Sequence, residues 1–234
     1  MTGVFYGVGV GPGDPELLTV KALKVIREAE VIIAPQTEQK KASTALTIAQ
    51  PFLKADAQIV ELVFPMVFNS AILSTAWEEH KNTILELLAA GKMVCFLTLG
   101  DPMLYSTYIH VFHLLKNCGY PMKTIPGVPA FCAAASRLGY PLAEGDDILS
   151  VIPATVGADQ LDRVLAMSDQ VVLLKVYKNH QKIVAKLKQH GLAGNAVMIS
   201  RCGLEDEQVV RDLDDLDAQK LSYLSTILAR RNEA

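Results

Sequence analysis

The chain has 234 residues, half of them hydrophobic, with 22 basic and 25 acidic side chains and a formal net charge of −3. That length exceeds the commonest domain size of about 100–150 residues, so two domains are expected, and a mean hydropathy of +0.25 supplies ample core material and excludes a disordered chain. The acidic balance argues against a broad nucleic-acid face, which needs clustered Lys and Arg. No apolar stretch approaches the roughly 18–20 uncharged residues of a bilayer span.

The start, MTGVFYGV, lacks the basic region of a signal peptide, so a cytoplasmic protein that does not engage a membrane is expected. Cys95, Cys118, Cys132 and Cys202 are scattered without a C-x-x-C spacing, which suits reduced thiols rather than a disulfide frame or a metal site.

In chain order, short β-rich runs alternate with longer helical ones, the pattern of an α/β protein. TGVFYGVGV reads as a strand and DPELLTVKALKVIREAE as one helix, with Asp14 as N-cap, Pro15 in the first turn and Glu16 behind it at the positive helix end. VIIAP is a strand stopped by Pro35, STALTIAQPFL a helix, and QIVELVF a strand. AWEEHKNTILELLAAG is a helix ended by Gly91, KMVCFLTLGDP a strand leading into a loop, and YSTYIHVFHLLKNCG a helix.

From about residue 120 a second series begins: MKTIPGVPAF (strand and turn), AFCAAASRLG (helix), DILSVIPAT (strand), GADQLDRVLAMS (helix), QVVLLKVY (strand) and HQKIVAKLKQHGL (helix). NAVMISRCG and LSYLSTILA read as closing strands, joined by the acidic, helix-poor segment LEDEQVVRDLDDLDAQK, so antiparallel pairing is expected there. The expected fold is two α/β domains, 1–119 with a mostly parallel sheet and 120–234 with a mixed one.

Three Gly/Pro turns stand at strand ends. In GVGVGPGDPELLT, Gly7, Gly9 and Gly11 are spaced by two, and Pro12 occupies the place of the third glycine in G-x-G-x-x-G. Glu28 and Glu30 fall at a helix end rather than after the second strand, so the dinucleotide fingerprint fails, as does the usual Rossmann methyltransferase loop. What remains is a backbone able to approach another surface closely.

The second turn, TLGDPMLYST, puts Gly100, Asp101 and Pro102 just past a hydrophobic strand. Asp101 there serves as a helix cap, as a carboxylate directed at a ligand, or as both. The third, IPGVPAFCAAASRLG, leads small residues into a helix.

Together these turns resemble the tetrapyrrole methyltransferase family over essentially the whole chain. GVGVGPGDPELLTVKA matches the family's amino-terminal signature and LGDPMLYST its central one, with TIPGVPAF at the expected spacing behind them. GDPMLYSTY, PLAEGDDILSVIPAT, LLKVYK and YLSTILA are similar to the members that methylate carbon 20 of precorrin-2 or of its cobalt-containing counterpart.

The resemblance implies a non-Rossmann fold, S-adenosylmethionine as cofactor with S-adenosylhomocysteine as product, an anionic tetrapyrrole substrate, and a homodimer. It places Pro12, Gly100, Asp101, Met103, Leu104, Ser106, Thr107, Pro129, Ala130, Phe131, Val176, Tyr223 and Leu224 at the cofactor. Pro129 stands where relatives usually have Thr, Val176 where they often have Met, and Tyr223-Leu224 where they often have Pro-Ala.

Methyl transfer from a sulfonium mainly requires a nucleophilic carbon held in line, followed by loss of a proton. Asp101 and Tyr223 are the catalytic candidates for accepting or relaying it. A substrate with eight carboxylates calls for local positive groups, for which Arg137, Lys175 and Lys178 are candidates, with His180 and Lys182 nearby. Such a run is more often a solvated helix face, since exposed charges interact weakly. His110 and His113 share a helix face but lack a third ligand, so no metal site is expected. Met66 and Phe68 read as loop packing and Trp77 as a helix anchor.

Overall fold

The computed structural model describes residues 2–36, 43–64, 70–216 and 221–231, apart from the side chains of 70–75. The chain divides into two compact units, Met1–Pro129 and Ala130–Ala234.

The first unit is built on five strands, β1 (Val4–Gly9), β2 (Val31–Gln36), β3 (Gln58–Val63), β4 (Met93–Thr98) and β5 (Met122–Ile125). They lie in the order β3-β2-β4-β1-β5 and every pairing is parallel. A parallel sheet must be covered on both faces. Here α1 (Val20–Glu28) and α2 (Thr44–Ala49) cover one face, and α3 (Ser70–Ala89) and α4 (Tyr108–Leu115) the other.

The two-residue period of β4 sorts its side chains accordingly. Cys95 and Leu97 join Ala22, Ile26 and Ile48 on the α1/α2 side, whereas Val94 and Phe96 join Ile84, Leu88 and Val111 on the α3/α4 side. These core side chains are almost wholly removed from water, which fixes the register of β4 against one-residue slips.

Three sequence expectations are corrected in this unit. The single helix expected from Asp14 is broken: Asp14 caps a short 3-10 turn, Pro15–Leu17, Leu18 is extended, and α1 starts afresh with the Thr19 hydroxyl accepting the Ala22 N–H at 3.1 Å. Pro35 does not stop β2. The strand continues to Gln36 because β4 pairs only with Val31–Ile33, leaving one flank of β2 without a ladder partner at Pro35, a setting that tolerates a missing N–H. β5 belongs to the first sheet, pairing with β1 from Phe5–Met122 to Val8–Ile125, rather than to the second half of the chain.

The second unit contains α5 (Ala130–Leu138), β6 (Leu149–Pro153), α6 (Ala158–Met167), β7 (Gln170–Leu174), α7 (His180–Gln189), β8 (Val197–Ser200), β9 (Gln208–Val210) and β10 (Ser225–Arg230). Its sheet runs β6-β7-β10-β8-β9. β6 and β7 are parallel and the other pairings antiparallel. The sheet is thus mixed, as expected, but the short β9 inside the acidic connection is an addition. One face packs on α6 and α7 through Leu165, Leu173, Leu187 and Ile227, the other on α5 through Ala134, Val172 and Leu228.

Candidate functional site

In the first unit the loops leaving β1, β4 and β5 are knitted together by backbone at the carboxyl edge of the sheet. Val10 donates to Thr98 at 2.9 Å, and Gly100 and Gly11 exchange hydrogen bonds at 2.7 and 3.4 Å as an isolated antiparallel bridge. Glycine is required here by contact. A Cβ on Gly9 would lie 2.5 Å from the Gly127 nitrogen and 2.6 Å from the Gly100 oxygen, and one on Gly127 would run into that same oxygen. Gly7 serves the packing beneath: its missing Cβ admits the ring of Tyr108, which a methyl group would overlap.

Asp101 ties this junction. Its Oδ1 accepts the Met103 N–H at 2.8 Å and its Oδ2 the Gly127 N–H at 3.1 Å, so the carboxylate caps its own turn and clamps the third loop. It does not cap α4, whose first N–H, that of Tyr108, goes to the Ser106 hydroxyl at 2.9 Å. The Thr19 hydroxyl adds a bond to the Pro126 carbonyl at 3.4 Å. Beneath the junction Tyr108 is fully buried and shares a 2.7 Å hydrogen bond with Thr124; burial pushes its phenol up, against the opposing effect of that bond.

Of the residues singled out in this unit, Pro12 is buried in the first loop, and Gly100, Asp101, Met103, Leu104, Ser106 and Thr107 line the second. Pro129 follows Gly127 in the third loop and is half-buried. Met103 is 52% and Tyr105 44% exposed, large apolar surfaces offered to solvent at this edge. Gly100 has φ +71° and open space where a Cβ would stand.

In the second unit Ala130 and Phe131 open α5, with Phe131 packed on the sheet face that holds Val172 and Leu228. Val176 is buried just past β7 and donates to the Ser225 carbonyl at 3.0 Å, while the Arg201 N–H reaches the Leu224 carbonyl at 3.1 Å. The Tyr223 ring meets the edge of Tyr177 at 5.4 Å between centroids and carries the Lys175 ammonium at 5.3 Å. Lys178 lies 5.1 Å from the Tyr177 ring. Arg137 is ion-paired with Glu207, so part of its charge is answered inside the unit.

Strain marks the same edges. Among the described residues the non-glycine positions with positive φ are Tyr105 (48°), Lys175 (62°), Asn179 (56°) and Arg201 (55°), and all lie in loops that follow β4, β7 or β8. A residue with a Cβ gives up about 1–2 kcal/mol in that conformation, which is tolerated where surrounding structure dictates the backbone.

Sequence reasoning missed Tyr177, Gly127 and a hydroxyl chain in which Ser225 donates to Ser200 at 3.0 Å and accepts the Ser222 N–H at 3.2 Å. Gly127 was signalled by its place in a Pro-Gly turn. The serine chain had no signal, because it depends on the β8–β10 register. Outside the site, His110 packs on Trp77 at 5.3 Å and His113 on Phe112 at 5.7 Å. Among the described residues no group of three His, Cys, Asp or Glu side chains could hold a metal, and no helix is long and apolar enough to cross a membrane. Met66 and Phe68 lie outside the described residues.

A parallel sheet whose first, fourth and fifth strands end in fused glycine turns, followed by a mixed sheet, is the arrangement of a non-Rossmann α/β enzyme. Residues 4–217 match the model of the tetrapyrrole (corrin/porphyrin) methylases, and the chain belongs to that family. It is 36% identical over 234 residues to the cobalt-precorrin-2 C(20)-methyltransferase of Salmonella typhimurium, covering 99% of this chain and 98% of that one. It is 33% identical to the precorrin-2 C(20)-methyltransferase of a Sinorhizobium species, covering 97% and 94%. Its fold is similar to that of the Thermus thermophilus uroporphyrin-III C-methyltransferase crystallised with S-adenosylhomocysteine, with a TM-score of 0.70, 22% identity, and 97% and 96% coverage.

Proposed function

We propose that the protein transfers a methyl group from S-adenosylmethionine to carbon 20 of precorrin-2 or cobalt-factor II in corrin synthesis. The observation that carries this reading is near-full-length identity of 33–36% to relatives named for that position on the ring, joined to the fused Gly9–Gly100–Gly127 edge. The cofactor fits that edge on local grounds: the space beside Gly100 is open, and the exposed Met103 and Tyr105 offer apolar surface next to backbone.

In this reading the residues that the family resemblance assigns to the cofactor are Pro12, Gly100, Asp101, Met103, Leu104, Ser106, Thr107, Pro129, Ala130, Phe131, Val176, Tyr223 and Leu224. The bound sulfonium supplies a methyl group on an excellent leaving group. The chain's contribution is therefore orientation: loops clamped by Asp101 cannot drift, so the methyl is presented to an incoming carbon without reorganisation of the backbone. Methylation would leave the ring carbon with a proton to lose, and a side chain of this chain would accept or relay it.

Both oxygens of Asp101 are engaged by N–H groups, so its assigned work is holding the loops. Tyr223, exposed and with an ammonium over its ring, is assigned the relay of that proton. Lys175, Lys178 and Arg137 are assigned to the substrate carboxylates. The reading carries with it a homodimer in the cytoplasm, and light scattering on the purified protein tests the dimer.

The experiment is a side-by-side assay of S-adenosylhomocysteine production with precorrin-2 and cobalt-factor II. Turnover with at least one is expected. Cofactor binding without turnover on either ring would favour a non-catalytic tetrapyrrole carrier. Tyr223→Phe is expected to lower kcat at least tenfold with cofactor affinity retained, and undiminished turnover would remove Tyr223 from the mechanism.

A further inference from the structure

Residues 222–225, which carry Tyr223 into the start of β10, form a turn closed by the Ser225 N–H on the Ser222 carbonyl at 3.0 Å. The two serine side chains of this turn satisfy its backbone from opposite ends. Ser222 Oγ accepts the Leu224 N–H at 3.2 Å, and Ser225 Oγ accepts the Ser222 N–H at 3.2 Å.

The turn is also moored to the strands beside it. Ser225 Oγ donates to Ser200 Oγ at 3.0 Å across the β8–β10 pair, in which the two serines stand opposite one another. The Arg201 N–H reaches the Leu224 carbonyl at 3.1 Å and the Val176 N–H the Ser225 carbonyl at 3.0 Å, so the segments leaving β7 and β8 both grip it. Each of those segments holds a non-glycine residue in the left-handed region, Lys175 at φ 62° and Arg201 at φ 55°. Such backbone persists only where its surroundings dictate it.

Burial divides the turn into anchor and payload. Ser225 is wholly buried and Ser200 is 2% exposed, whereas Tyr223, between the two turn serines, is 38% exposed. A hydroxyl buried at a strand start costs free energy unless it is bonded, and an apolar side chain would fill the position without that demand. Bonded in series and shielded from water, these hydroxyls stiffen a loop that would otherwise exchange its hydrogen bonds with solvent. What the stiffened loop presents is the Tyr223 side chain, set at 65° to the Tyr177 ring with 5.4 Å between centroids and with the Lys175 ammonium 5.3 Å from its own centroid.

A group that relays a proton must stay within hydrogen-bond reach of it, so a phenol on a wandering loop does that work poorly. From the run of bonds that ends on the Tyr223 turn, we infer that Ser222, Ser225 and Ser200 are positioning residues for methyl transfer, which hold the Tyr223 hydroxyl in place for the proton relay. The serines act through Tyr223 and not on the reacting groups. This inference rests on the methyl-transfer reading above and adds to it the device that sets Tyr223.

The test compares Ser222→Ala, Ser222→Thr and Ser225→Ala, with Ser222→Ala also made in the Tyr223→Phe protein. Ser222→Ala is expected to lower kcat about fivefold, the weight of one hydrogen bond, with S-adenosylhomocysteine affinity kept, and Ser222→Thr, which retains the hydroxyl, to restore it. In the Tyr223→Phe protein the same substitution should cost less than about twofold, because the hydroxyl through which it acts is already gone. Ser222 is only half-buried, so its variants decide the matter even if Ser225→Ala fails to fold. Unchanged kcat in Ser222→Ala, undiminished turnover in Tyr223→Phe, or a full fivefold loss added on top of Tyr223→Phe overturns the inference. A second readout needs no turnover: the through-space NMR contact between the Tyr177 and Tyr223 rings should be lost in Ser222→Ala and kept in Ser222→Thr. A wild-type protein inactive on both tetrapyrroles defeats the methyl-transfer reading alone, and the ring contact still decides whether the serines set Tyr223; a contact unchanged in Ser222→Ala shows that they do not.

Discussion

Asp101 and Gly127 are 26 residues apart, yet the Asp101 Oδ2 accepts the Gly127 N–H at 3.1 Å while the other oxygen holds Met103. One carboxylate thereby joins the loops after β4 and β5, and the Gly11–Gly100 bridge joins both to the loop after β1. Asp101→Asn keeps the size but replaces one acceptor by a donor that faces a backbone N–H. The expected cost is about 1–3 kcal/mol of stability, with S-adenosylhomocysteine affinity at least tenfold weaker; calorimetric titration and thermal melting read both. Unchanged affinity would show that the clamp does not shape the cofactor seat.

Gly9→Ala forces a methyl group against the Gly127 backbone and the Gly100 oxygen, none of which is the far end of a flexible side chain. We expect loss of cofactor binding together with destabilisation of about 1–3 kcal/mol or more, read by denaturant titration. Gly7→Ala separates the two consequences. It strikes the Tyr108 ring rather than the loop junction, so stability should fall while cofactor affinity, measured on the folded fraction, is largely kept.

Acid sensitivity follows from two surface carboxylates. The Met93 N–H and then Lys92 hold Glu30 below its usual 4.5, and Lys186 with His190 holds Asp162 below its usual 3.8. A lowered folded-state value contributes stability that is present above the ordinary value and lost as pH falls through the folded one. Melting temperature should therefore decline from roughly pH 5 downward, and Glu30→Gln and Asp162→Asn should each flatten that decline while lowering the neutral-pH plateau slightly. An acid limb identical in all three proteins would contradict the assignment.

Thiol chemistry gives a probe of packing. Burial pushes the Cys95 thiol far up, and burial together with Glu207 raises Cys202 to about 11. Neither should react with an aromatic disulfide reagent at about pH 7.5 in the native protein, and both should react once it is unfolded in guanidinium. Peptide mapping after labelling identifies the sites, and rapid native labelling of Cys95 would mean that the core of the first unit opens.

Much of the fold was legible in the sequence, and the failures are informative. The parallel first sheet followed from alternating strand and helix patterns, and the buried runs of β2 and β4 were plain because both faces are covered. The identity of β5 as a first-sheet strand was not, since MKTI looks the same wherever it pairs; only its register with Phe5–Val8 decides the matter. The break before α1 was hidden because Leu17, Leu18 and Val20 continue a helical composition, whereas Thr19 between them acts as a cap rather than as an interior residue. The Gly/Pro turns marked where the loops after β1, β4 and β5 meet, whereas the aromatic pair Tyr177–Tyr223 and the serine chain arise from strands adjacent only in the folded sheet.

The most direct test of the account is to incubate the protein with a methyl-labelled S-adenosylmethionine and each of the two rings, then locate the new methyl by NMR. The account predicts one label, at carbon 20, with an equal amount of S-adenosylhomocysteine. A label on any other carbon, or cofactor turnover with no labelled ring, would contradict it.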